Sequence, residues 1–156
     1  MTAPSRSYYA VPDPADPTAM TYWRTGRRGL AMWPPKARYG PLLFAADVPP
    51  GLKGLDREAF IRNWAATVRT PWQEAVNAAI EIDPDGCAAM FAVFMTRCCY
   101  CGRRLTDPES KAYGIGPECR RGVPAPVLAA MANAVGRAHG LHVQTAKNAR
   151  PEGATP

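Results

Sequence analysis

Apolar residues recur at helical spacing along most of the chain after residue 56. Phe60, Ile61, Trp64, Ala65 and Val68 fall on one face of a helix running from Arg57 to Val68, with Asp56 placed to cap it. Thr70-Pro71-Trp72-Gln73 reads as the start of a second helix, with Thr70 as cap, Pro71 at the first helical position and Gln73 completing a capping box. Val76, Ala79 and Ile80 continue its apolar face. Asp83-Pro84 repeats the start signal for a third helix. There Cys87, Met90, Phe91, Phe94 and Met95 form a full core stripe at i, i+3, i+4, i+7 and i+8. Pro126 to His139 reads as a last helix lined by Val127, Met131 and Val135, with Gly140 as its stop.

Before residue 56 the pattern changes. Tyr22-Trp23-Arg24 and Leu30-Ala31-Met32-Trp33 flank Thr25-Gly26-Arg27-Arg28-Gly29, which predicts a short hairpin. Pro34-Pro35 closes it, and Pro41, Pro49-Pro50 and Gly51 mark an extended connector. Residues 1–20 hold Pro4, Pro12, Pro14 and Pro17 without apolar periodicity, so a flexible leader is expected there. Residues 144–156 read as a flexible tail. The expected fold is α+β or mainly α: a small helical domain over 21–143 with an N-terminal hairpin. Its helices pack around Phe60, Trp64, Trp72, Phe91 and Phe94. There is no internal repeat.

The 156 residues suffice for one domain with a modest core, and the 17 prolines and 13 glycines imply many short connections. The net charge of +6 favours acidic partners, although the cations form no dense run and solubility is the competing explanation. Met1 to Ala10 lacks the apolar core of a signal peptide, and no segment approaches the roughly 20 apolar residues that span a bilayer. A membrane role is therefore not expected, and a reducing cytoplasm is. In that setting the 5 cysteines point to metal binding or chemistry before disulfides.

Cys98 and Cys101 form a C-x-x-C pair followed at once by Gly102. Two thiolates then lie on one side of a tight turn whose backbone N–H groups point at the sulfurs, and glycine permits the positive φ such a turn uses. Further on, Gly114-Ile115-Gly116-Pro117-Glu118-Cys119 returns a third cysteine, with Pro117 able to open a helical turn. Buried free thiols are one competing reading. A redox C-x-x-C is another, but it would open a helix after a strand, whereas glycine and two arginines follow here. The expectation is one structural Zn²⁺ on Cys98, Cys101 and Cys119, stabilising the domain through a zinc-knuckle loop. The fourth ligand stays open among Asp107, His142, a water and a partner residue. Cys99 has poor geometry beside Cys98, Cys87 belongs to a core stripe, and His139 belongs at a solvent-facing helix end.

The run Cys98-x-x-Cys101-Gly102-Arg103-x-Leu105-Thr106-Asp107-Pro108-x-Ser110, then Gly114-Ile115-Gly116-Pro117-x-Cys119, resembles a zinc-binding module of phage and actinobacterial proteins. The resemblance covers Asp83 to about Arg121. Phe94-Met95-Thr96-Arg97 departs from the Phe-Gly and Thr-Gly that usually precede that knuckle, and position 107 is not always Asp in such modules. Ser110 matches a frequent serine, read as a turn hydrogen bond. The module brings no catalytic residues. Tyr22-Trp23-Arg24 and the Trp33-Pro34 to Tyr39-Gly40-Pro41 stretch are similar to early proteins of temperate actinobacterial phages, some of which redirect large serine integrases. That similarity implies a role as a recombination directionality factor in a bacterial host cell, with a recombinase on DNA as partner.

Arg24, Arg27, Arg28, Lys36 and Arg38 lie among Trp23, Trp33 and Tyr39 with no acid between them. Such a segment suits a nucleic-acid backbone or an acidic protein groove. Equally, the tryptophans can enter the core while the arginines are solvated. Asp83-Pro84-Asp85-Gly86 lacks the rest of a calcium loop, and Gly114-x-Gly116 is too short for a dinucleotide fingerprint. No nucleophile–base pair is recognisable, so binding rather than catalysis is expected.

Overall fold

The computed structural model describes residues 6–148. The fold is α+β. Strands β1 (Tyr8–Asp13), β2 (Asp16–Gly26) and β3 (Gly29–Met32) form an antiparallel sheet in the order β1-β2-β3. The connector follows, and then helices α1 (Gly54–Trp64), α2 (Thr70–Ile82), α3 (Pro84–Met95), α4 (Pro108–Tyr113), α5 (Pro117–Arg120) and α6 (Ala125–Asn148).

The expected hairpin is present, with Trp23 opposite Met32 and Gly26 opposite Gly29. The expected leader is not. Residues 8–20 supply β1 and the first part of β2, with Tyr9 opposite Trp23 and Val11 opposite Thr21. The prolines of this stretch obscure the strand, but each sits where a missing N–H is tolerated. Pro12 adjoins the register shift, Pro14 is in the turn, and Pro17 lies where the register has slipped. Tyr8-Tyr9-Ala10-Val11 is used on both faces. Tyr8 and Ala10 join the core around Phe91, whereas Val11 joins Trp23, Trp72, Val76 and Cys87. A strand buried on both faces shows no alternation, which is why periodicity missed it. Residues 1–5 and 149–156 lie outside the described residues.

Phe91 on α3 is the hub. Tyr8 stacks on it at 5.0 Å between ring centroids, and Trp33 meets it edge-on at 5.2 Å. Ala88, Ala89 and Ala92 are buried beside it, and the small residues bring α3 close to β1 and α6. In the second cluster the buried Thr21 hydroxyl donates to the Val11 carbonyl and accepts from Trp23 Nε1, each at 2.7 Å. Trp23 thus enters the core, as the structural reading of the hairpin foresaw.

Four helix expectations need correction. Asp56 does not cap α1, which begins at Gly54 and holds Asp56 within its first turn. Thr70 caps no new helix. The backbone at Thr70 is helical, and its N–H reaches Ala65 O across a π-helical turn at Ala65–Arg69 that joins α1 to α2. Pro71 has no N–H and its ring crowds the carbonyl four residues back; the wider turn accommodates both defects. Phe60, Trp64 and Phe94 are only half-buried, so Trp72 and Phe91 alone of the five proposed core aromatics are fully enclosed. Gly140 does not stop α6, which continues to Asn148 and takes up residues 144–148 of the expected tail. A glycine inside a helix costs about 1 kcal/mol, which the buried face of Met131, Ala134, Val135 and Ala138 offsets.

Candidate metal centre

The knuckle begins where α3 ends. Thr96 takes a left-handed conformation at φ 53°, turning the chain out of the helix. Arg97 and Arg104 then pair as an antiparallel bridge. Cys98 N donates to Arg103 O and Gly102 N donates to Cys98 O, both at 2.8 Å, closing a tight loop around the C-x-x-C pair. Gly102 has φ 77°, and a Cβ there would lie 2.7 Å from the Tyr8 ring, so position 102 requires glycine twice over. Ser7 N and Tyr8 N both donate to Cys99 O, which fastens β1 directly to the knuckle.

The second half of the site is carried by α4 and α5. Asp107 caps α4 by accepting from Ser110 N at 2.9 Å, and Gly114 ends that helix at φ 69°. Cys99 N donates to Gly114 O at 3.1 Å, locking the two halves together. Pro117 opens α5, as foreseen, and α5 carries Cys119 back to the knuckle.

The structure brings the sulfurs of Cys98, Cys101 and Cys119 within 4.8 Å of one another. Tetrahedral zinc–thiolate bonds of 2.3 Å put sulfurs about 3.8 Å apart, so three ligands fit with minor adjustment. Burial pushes the Cys98 thiol up, but N–H groups of Gly116, Cys101 and Tyr100 aimed at its sulfur outweigh it, and the net shift is downward. Cys119 is pushed up to about 12, by burial and then by the charge on Cys98. Ionising Cys98 thus opposes ionisation of Cys119. A divalent cation would remove that opposition, and this donor set suits a soft or borderline metal ion.

The fourth position narrows. Among the described residues, only the three cysteines belong to the cluster. The Asp107 carboxylate is occupied as a helix cap, and Ser110 beside it holds its carboxyl below the usual range. His142 packs against the Phe94 ring at 4.8 Å. Cys99 is fully buried and its thiol is pushed far up, by burial and then by Cys98. Cys87 sits in the second core cluster, pushed up to about 11 by burial, as its place in an apolar stripe implied. His139 is exposed. A cavity of about 260 Å³, lined by Cys101, Cys119, Arg103, Arg104 and Glu118 among others, lies beside the cluster and would admit a water or a partner residue.

Sequence reasoning missed Arg120. Its guanidinium donates to Ser110 Oγ at 2.6 Å and to Ile115 O at 2.8 Å, and it lies over the Tyr113 ring. It fixes the Gly114–Gly116 segment that faces Cys98. The pairing of a buried serine with an arginine ten residues further on leaves no periodic signal. Arg97 donates to Gly102 O at 2.9 Å and lies over Trp33, so it braces the knuckle backbone. Arg103 makes a 3.3 Å exposed pair with Glu118.

The candidate binding cations divide into two groups. Arg27 and Arg28 are exposed at the β2–β3 turn. Arg24 and Arg38 line one shallow depression with Trp33 and Pro35, and Lys36 is exposed in the loop between them. Arg24 also lies over the Tyr8 ring at 5.6 Å.

A family model described as "Family of unknown function (DUF6011)" matches residues 88–124, about a quarter of the chain and the stretch that holds the whole cysteine cluster. No curated protein and no solved structure matches the chain. Among the described residues, no helix is long and apolar enough to cross a membrane. The site is thus a three-cysteine candidate metal centre in a segment similar to that family.

Proposed function

We propose that this chain is a non-enzymatic binding protein shaped by one structural zinc ion, and that it docks on a protein–DNA complex in a bacterial host cell. Its sharpest form is a recombination directionality factor that redirects a large serine integrase by binding one conformation of the complex better than another. The observation that carries the binding role is the display of Arg27 and Arg28 at the tip of the β2–β3 hairpin, on the sheet that Cys99 O fastens to the cysteine cluster. The integrase version rests on the resemblance of the N-terminal segment to early phage proteins. Convergence of Arg24 and Arg38 beside Trp33 favours a second reading, direct nucleic-acid binding.

A gel-shift assay with and without a serine integrase separates the two. A shift that needs the integrase supports the first, whereas binding to bare DNA with a steep salt dependence supports the second. Arg27→Ala with Arg28→Ala is expected to preserve fold and zinc content and to weaken the complex by roughly 1–3 kcal/mol if those cations are desolvated in it. Unchanged binding by the double variant would remove the hairpin tip from the interface.

A further inference from the structure

The metal site and hairpin tip leave a third feature unused. A groove of about 580 Å³ runs between the connector and the first helix. Leu42, Phe44 and Val48 form one wall, and Ile61, Trp64 and Ala65 form the other. Phe44 is 62 % exposed and Leu42 43 % exposed, whereas α1 and the π-helical turn bury no residue at all. An isolated helix of this length is marginal in water, and folding normally buries its apolar face. Here that face is left half-open. The π-helical turn is what allows this, because it offsets α1 from α2: Trp64 and Ala65 line the groove while Trp72 and Val76 enter the core.

The groove is basic at its edges. Arg38, Arg57 and Arg69 line it and no acid does. Arg69 donates to Tyr39 O at 2.7 Å and to Pro41 O at 3.2 Å, which holds the connector against the helix. Arg38 and Arg57 are exposed, and neither enters an ion pair among the described residues. Asp47, on the connector, turns its carboxylate back to Phe44 N at 3.0 Å.

We propose that this groove is the docking site for an acidic amphipathic segment of another protein. Its apolar side chains fill the space between Phe44 and Trp64, and its carboxylates meet Arg38 and Arg57. An apolar floor with a cationic edge selects this occupant over its rivals. Nucleic acid offers phosphate but little to cover Leu42 and Phe44, and a second copy of a chain carrying +6 adds like charge. The proposal stands whether or not the partner is a recombinase.

The test uses the full-length, zinc-loaded protein and a fluorescein-labelled helical peptide of about 18 residues, with Leu and Phe on one face and Glu on the other. A peptide with Lys in place of Glu is the control. The acidic peptide is expected to bind saturably with one-to-one stoichiometry and to shift amide resonances of residues 38–69. Phe44→Asp, and separately Arg38→Glu with Arg57→Glu, should each weaken it by about tenfold or more while melting as the parent does, because these side chains are exposed. Equal affinity for the Lys peptide, resonance shifts elsewhere, unchanged binding by both variants, or no saturable binding would each overturn the proposal. So would a dimer, seen by sedimentation, whose Phe44→Asp variant is monomeric, since the groove would then belong to a second copy. None of these readouts involves DNA or an integrase.

Discussion

The knuckle and the first helix are opposite solutions to the same problem of holding a short segment in place. Around Cys98, backbone groups are tied across the chain: Ser7 and Tyr8 to Cys99 O, Cys99 to Gly114 O, and Gly102 to Cys98 O. Cys98, Cys99, Leu105 and Ile115 are buried among them. Around α1 the ties are few. Arg69 clasps the connector, and no side chain of α1 is fully buried. Local stability follows buried contacts, so the molecule should divide into a rigid half that sets shape and an arm that stays available for contact.

Metal removal attacks that division most severely. Structural zinc sites contribute on the order of 10 kcal/mol of apparent binding free energy, comparable to the whole stability of about 5–15 kcal/mol of a small domain. Cys101→Ser, or chelation of the parent, is therefore expected to abolish cooperative unfolding together with bound zinc. Elemental analysis and calorimetry check this. A variant that keeps one zinc per chain and melts normally would show that the sulfurs are neighbours without being ligands.

The next test concerns the strand that was expected to be a leader. Tyr8 stacks on Phe91 and its ring lies against Gly102, so it joins the sheet, α3 and the knuckle. Tyr8→Ala should destabilise the protein by about 3–5 kcal/mol, as large aromatic-to-alanine changes in cores do. Deleting residues 6–13 should abolish the fold. A Tyr8→Ala loss below about 1 kcal/mol in urea unfolding would place β1 outside the rigid half.

In the arm the same type of change should matter far less. Phe60→Ala removes a half-buried ring from a helix without a buried residue, and a loss of about 1 kcal/mol or less is expected. The pair Tyr8→Ala and Phe60→Ala thus measures the contrast directly. Comparable losses would mean that α1 is as integral as β1, and the half-open groove would then need another explanation.

Local chemistry in the sequence was a good guide where a residue type dictates a conformation. Gly102, Gly114 and Pro117 announce the turns that assemble the cysteines, and Asp83-Pro84 announces α3. The hairpin around Arg27-Arg28 is similarly local. What escaped depends on distant partners. Tyr8 to Val11 form a strand because α2 and α3 cover its two faces, and no local pattern records that. Thr70-Pro71 carries every sign of a helix start, yet the preceding turn is already helical and widens to admit the proline. Phe60 and Trp64 have the spacing of core residues, but spacing shows which face is apolar, not what covers it. Arg120 was missed although its partners are near in sequence, because an arginine bound to Ser110 and Ile115 follows no helical or strand repeat.

The smallest expected effect tests the boundary of the metal site. Asp107 is close in sequence to the knuckle and was one candidate for the fourth ligand, but its carboxylate accepts from Ser110 N at the start of α4. Asp107→Asn is therefore expected to leave zinc content unchanged and to lower the melting temperature only slightly, because asparagine caps almost as well. The pH dependence distinguishes cap from ligand further. Hydrogen bonds from Ser110 hold the Asp107 carboxyl below its ordinary value in the folded protein. The unfolded chain thus binds the proton more readily, so this contribution to stability is present above the unfolded pKa and is lost as pH falls through the folded one. At neutral pH, the parent and Asp107→Asn should both retain the metal. As pH falls, both should lose the metal and their cooperative melting over the same range, because protonation of the three thiolates, not of Asp107, then limits the fold. Release of zinc by Asp107→Asn at neutral pH would instead make this carboxylate part of the metal centre and extend the rigid half to include it.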